Sequence, residues 1–73
     1  MTVNRKTIAK IAEWVADTTK ENETTQKRAH ILAKRMYNRY IRDNGKNSKI
    51  ERIMYLHEDT IARKAKRILQ ERA

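Results

Sequence analysis

The chain has 73 residues, with 18 Lys and Arg against 9 Asp and Glu, a formal charge of +9. It contains no Cys, which excludes disulfides and thiolate metal sites, and no uninterrupted apolar stretch of the ~18 residues a membrane-spanning helix needs. A chain this short buries a modest core and rarely builds a substrate cavity, so catalysis is not expected.

Apolar residues make up 38% and charged residues 37%, close to the composition of disordered chains. The periodic placement of the apolar residues decides for a fold. Pro is absent and the single Gly is Gly45, which predicts helices joined by short polar connections. The expected architecture is all-α, a small four-helix bundle, with residues 1–73 as one helical domain. The N-terminal segment Met-Thr-Val-Asn-Arg-Lys carries no apolar run of secretory-signal length. With the absence of Cys, this gives a cytoplasmic expectation, the host cytoplasm if the chain is phage-encoded.

The first helix is expected to follow Asn4, a good N-cap type, and to run to about Thr18. Ile8, Ile11, Ala12 and Val15 fall on one stripe, with Trp14 beside it as a lid on the core or a partner contact. The polar stretch from Thr18 to Asn22 connects to a second helix, roughly Glu23 to Asp43, with Asn22 or Thr24 as its cap. Its apolar stripe is Ala29, Leu32, Ala33, Met36, Tyr37, Tyr40 and Ile41, and Asn44-Gly45 is its expected stop. Ser48-Lys49-Ile50-Glu51 reads as a capping box opening a short third helix with Ile50, Ile53, Met54 and Leu56. A break near His57 precedes the fourth helix. Glu58 and Asp59 suit its dipole, and Ile61, Ala65, Ile68 and Leu69 form its stripe.

The charge is unevenly distributed. The first 22 residues hold four basic and three acidic side chains, residues 23–45 six and two, and residues 46–73 eight and four. Excess of this kind on a small protein usually has an anionic partner, most often a polyphosphate backbone. A membrane surface is not the expected partner, since the apolar stripes are needed for the core. Arg28, Arg35, Arg39 and Arg42 lie on one face of the second helix, flanked by Lys27 and Lys34. Arg63, Lys64, Lys66 and Arg67 lie on the fourth helix away from its apolar stripe. Lys46 and Lys49 stand at the start of the third, where backbone N–H groups also favour anions. The expected nucleic-acid-binding residues are therefore Lys27, Arg28, Lys34, Arg35, Arg39, Arg42, Lys46, Lys49, Arg63, Lys66 and Arg67. The competing reading is a solvated face that keeps the protein soluble.

Tyr37, Tyr40 and Tyr55 could stack bases if exposed. The favoured alternative makes Tyr37 and Tyr40 core-edge residues with wet hydroxyls. His30 and His57 have too few acids around them to suggest a metal site, and no cofactor is expected.

Asn47 to Lys66 resembles the helix-turn-helix pattern. Ile50, Met54, Leu56 and Ile61 match its apolar positions and Asp59-Thr60-Ile61-Ala62-Arg63 the opening of a recognition helix. The chain departs from it at Glu51, Tyr55 and Lys64, where a small residue, a Gly and an apolar residue are usual. That resemblance implies a regulator of duplex DNA, with Glu58, Asp59, Arg63 and Arg67 toward the major groove. Ser48-Lys49-Ile50-Glu51-Arg52-Ile53 and Arg67-Ile68-Leu69 also resemble the second half of the small helical module of RecQ-type helicases and ribonuclease D. The family's Gly-rich hairpin is replaced here by Tyr55-Leu56-His57-Glu58-Asp59. The Lys/Asn-rich, Pro-free composition is similar to that of phage proteins.

Together these readings predict a non-enzymatic nucleic-acid-binding accessory to DNA replication, recombination or repair. Branched or single-stranded DNA is its expected ligand and a helicase its candidate protein partner. A protein-interaction adaptor or inhibitor for an acidic partner would use the same basic faces.

Overall fold

The structure, a computed structural model, describes residues 5–43 and 48–73. Four helices account for nearly all of them: α1 (Arg5–Thr18), α2 (Thr25–Asp43), α3 (Ser48–Leu56) and α4 (Glu58–Arg72). Among the described residues there is no strand. The all-α bundle expected from the periodicity is the observed architecture.

The stripe of α1 forms the largest share of the core. Ile8, Ile11, Ala12, Val15 and Ala16 are all buried. The helix ends where threonine hydroxyls take over its last carbonyls. Thr18 Oγ1 donates to the Trp14 carbonyl at 2.9 Å, and Thr19 Oγ1 donates to that of Val15. These bonds satisfy carbonyls that have no further helical donor. A tight turn from Lys20 to Glu23 follows, closed by a backbone bond of 2.9 Å.

Helix α2 begins at Thr25, two residues later than the sequence suggested. Thr24 is the reason. Its Oγ1 accepts the Lys27 N–H at 3.1 Å, and its carbonyl accepts the Arg28 N–H at 3.0 Å, the pattern of an N-cap. The cap Asn4, the stop Asn44-Gly45 and the Ser48 hydroxyl of the capping box lie outside the described residues or side chains.

Helices α1 and α4 run side by side in the same direction. Arg72 Nη1 donates to Asp17 Oδ1 at 2.6 Å, while Lys10 and Glu13 share a groove with Lys64, Arg67 and Ile68 further back. Helix α2 runs antiparallel to α4. Its His30 lies 3.2 Å from Glu58, Gln26 Nε2 donates to Asp59 Oδ1 at 2.6 Å, and Glu23 to Gln26 border Ala62, Arg63, Lys66 and Leu69. Glu58 and Asp59 thus serve twice: they complement the α4 dipole and they anchor its first turn to α2.

The C-terminal half of α2 carries α3. All four helices feed one core, in which Ala29, Leu32, Ala33, Met54, Ile61, Ala62 and Ala65 join the α1 residues, with Met36, Ile53, Ile68 and Leu69 packed at its margin. The small residues on α1, α2 and α4 allow close approach of the helices.

Three expected core positions are not core. Ile41 is 61% exposed, Ile50 41% and Leu56 66%. Helix α3 has nine residues against nineteen in α2 and covers only one side of it, leaving the outer flank of the pair in solvent. The third helix instead buries Met54 and, unexpectedly, Glu51. Helices α3 and α4 are separated by one residue, His57, and pack mainly on other partners. The helix-turn-helix unit has a turn of three to four residues. Its apolar positions Ile50 and Leu56 are exposed here.

Candidate nucleic-acid interface

Helix α4 lies between α1 and α2, so only its outward side meets solvent. Ile61, Ala62 and Ala65 turn inward, and at 3.6 residues per turn the residues between them must turn out. Arg63, Lys64, Lys66 and Arg67 are all exposed. They divide into two rows. Lys64 and Arg67 border the α1 groove, where Lys10 joins them. Arg63 and Lys66 border the first turn of α2, beside Thr24, Thr25 and Gln26. A shallow depression formed by Thr60, Arg63, Lys64 and Arg67 connects the rows across the outer surface.

Electrostatically this face carries more cations than acids. Among the described residues, none of Lys10, Arg63, Lys64, Lys66 and Arg67 has an ion-pair partner, whereas Arg72 is held by Asp17 and His30 by Glu58. The start of α2 adds the partial positive charge of its free N–H groups to the rim beside Arg63 and Lys66. An acid also stands there: Glu23 lines the same groove and has one buried carboxylate oxygen, Oε2, without a hydrogen-bond partner. It lowers the potential at that end of the groove and leaves the α1 side, with Lys10, Lys64 and Arg67, facing only Glu13.

The α2 cations form a second region. Lys27, Lys34, Arg35, Arg39 and Arg42 are exposed, and Lys49 on α3 is exposed as well. Arg28 is half-buried, and its Nε donates to Thr18 Oγ1 at 3.2 Å, tying α2 to the end of α1. Arg39 also has an interaction within the protein. Helical spacing places Lys27 and Lys34 roughly a quarter-turn from the arginine row. Lys46 lies outside the described residues. Because α4 runs back toward the start of α2, Arg63 and Lys66 lie beside residues 23–26, and Arg39 is about 20 Å further along the axis at 1.5 Å per residue. The arginine row of α2 and the cations of α4 therefore lie in two regions.

Two contributors carry no signal in the sequence. Lys10 sits on the nearly neutral first helix, and nothing in a local charge count marks it; only the parallel packing of α1 on α4 brings it beside Lys64 and Arg67. Arg52 stands among the tyrosines. Tyr37 and Tyr55 stack across the α2–α3 seam with ring centroids 4.5 Å apart and planes 21° apart, and Tyr40 lies 6.3 Å from Tyr37. Tyr37 and Tyr40 are half-buried, as core-edge residues would be, while Tyr55 is 45% exposed. Trp14 is 42% exposed, an incomplete lid on α1.

Among the described residues no group of three or more His, Cys, Asp or Glu could hold a metal ion. No helix among them is long and apolar enough to cross a membrane. Comparison of the chain with protein-family models, with curated proteins and with solved structures finds no match.

Proposed function

We propose that this chain is a small non-enzymatic nucleic-acid-binding protein that docks on phosphates through the outward face of α4. The observation that carries this reading is the set of exposed cations Arg63, Lys64, Lys66 and Arg67, which have no ion-pair partner among the described residues, extended by Lys10 from α1. Phosphate docking gains free energy chiefly by releasing condensed counterions, and it needs cations that no internal acid already occupies. Arg35, Arg39 and Arg42 of α2, with Lys34 and Lys49, form a second contact region for a longer ligand.

Within this proposal DNA is the favoured ligand and the context is an accessory role in replication, recombination or repair beside a helicase. The likeness of Ser48 to Ile53 and of Arg67 to Leu69 to the helicase-associated module supports that context. The docking surface as a whole reads charge and shape rather than sequence, because its side chains are flexible cations suited to phosphate.

A salt titration tests the proposal. Affinity for a 20-base-pair duplex, followed by fluorescence anisotropy, is expected to fall steeply as salt rises. The slope of log K against log [salt] should be several units negative, about 0.9 for each phosphate contacted. A flat salt response, or no binding to DNA or RNA at low salt, rules the reading out.

A further inference from the structure

Among the described residues, four of the five large hydrophobic side chains that stand exposed, Ile41, Ile50, Tyr55 and Leu56, belong to the C-terminal half of α2 or to α3. Part of this exposed surface is a groove lined by Tyr37, Tyr40, Arg52, Tyr55 and Leu56. Its floor is aromatic. Tyr37 and Tyr55 stack on one another, and Tyr40 is tilted 33° to Tyr37, so the three rings form a stepped shelf. Half-burial of Tyr37 and Tyr40 holds the shelf in place, so an incoming planar group loses little of the protein's side-chain freedom. The charged residue in the lining is a cation, Arg52, which lies one helical turn before Tyr55 and Leu56. Lys34, three residues before Tyr37, lies on the same flank of α2.

We infer that this groove is a stacking subsite for the unpaired bases of a single-stranded nucleic-acid segment, with Arg52 meeting the adjoining phosphate. The inference rests on the phosphate-docking reading and adds a ligand class to it. A second copy of the chain fits poorly, since an isologous contact here brings Arg52 and Lys34 of two copies together with no acid in the lining to neutralise them. A base attached to a phosphodiester meets both properties of the groove. Its flat π-face suits the tyrosines and its phosphate suits Arg52. Bases inside a duplex are already stacked and present only their edges, so the groove selects for unpaired strand.

The test compares two labelled ligands of equal length and charge, a 15-nucleotide oligothymidylate and an abasic deoxyribose-phosphate oligomer. The wild-type chain is expected to prefer the oligothymidylate by about five-fold to a hundred-fold. Tyr55→Leu keeps an apolar side chain at an exposed position. It should bring that ratio close to one while leaving the abasic oligomer's affinity unchanged, whereas Tyr55→Phe, which keeps the π-face, should preserve it. Circular dichroism of each variant verifies that the helices are intact. Equal affinity of the wild type for both ligands overturns the stacking subsite and leaves phosphate docking standing. Binding of neither ligand at low salt overturns both. A preference that survives in Tyr55→Leu, or a dimer in sedimentation that Leu56→Glu dissociates, assigns the groove elsewhere.

Discussion

Glu51 is the residue whose position least resembles what its chemistry suggests. Three residues after the N-cap of a capping box, it should reach back toward the start of α3 at the surface. It is instead 2% exposed, on the same side of α3 as Met54, and its Oε2 has no hydrogen-bond partner. An unsatisfied carboxylate oxygen in a core costs free energy, and an apolar replacement of similar volume often stabilises. Glu51→Met is therefore expected to raise stability by about 1–3 kcal/mol. Thermal unfolding followed by circular dichroism measures this. A lower Tm for the variant means that the carboxylate makes a bond worth more than its burial costs.

The same residue shows where sequence reasoning stops. Helical periodicity marks which side of α3 is apolar, and Glu51 lies close enough to Met54 around the helix to be carried under with it. A capping motif describes only local geometry, so it cannot report that another helix closes over the site. Arg28 makes a parallel point. Counted as one of four arginines on a row, it is half-buried and bonded to Thr18 in the fold. Spacing groups residues on a helix face; only packing separates a cation spent on structure from one left for a ligand.

At the scale of elements, α1 and α4 were legible almost to the residue. The α1 stripe is buried throughout and that of α4 is buried at Ile61 and Ala65 with Ile68 and Leu69 at the margin, and Glu58-Asp59 marks the start of α4 on both electrostatic and sequence grounds. Helices α2 and α3 were legible as helices but not in their exposure. Ile41 and Leu56 continue apolar patterns past the point where a partner helix covers them. The pattern records where apolar residues lie, whereas coverage depends on how long the opposing helix is.

Helix α3 has the weakest hold on the molecule. It is nine residues long and contributes Met54 as its fully buried apolar side chain, with Ile53 at the margin. Helices this short are not stable alone, so α3 depends on its contact with α2. Its amides are expected to exchange faster than those of α1 and α4, through local opening rather than global unfolding. Native-state hydrogen exchange checks this, and protection across residues 50–56 equal to that of α1 would contradict it.

At the scale of the molecule, the arginine row of α2 runs to Arg39, about 20 Å along the helix from the residues that border Arg63 and Lys66. Their contributions should therefore be separable on a duplex, where the tyrosine groove finds no unpaired base. The α4 cations crowd within five residues and have no ion-pair partner among the described residues, while Arg28 and Arg39 on α2 are engaged within the protein. Replacing Arg63, Lys64, Lys66 and Arg67 by Gln should make the salt slope shallower by about 3 to 4 units, at about 0.9 for each phosphate no longer neutralised. Replacing Arg35 and Arg42 should change it by less than about 2 units on the same arithmetic. Lys10→Gln, on a helix whose charges nearly cancel, should still remove about one unit, because packing on α4 places it in the main contact row. Anisotropy titrations at four or five salt concentrations distinguish these slopes. If the α4 variant keeps the wild-type slope while the α2 variant loses most of it, the docking face is the arginine row of α2 and α4 is a solvated surface.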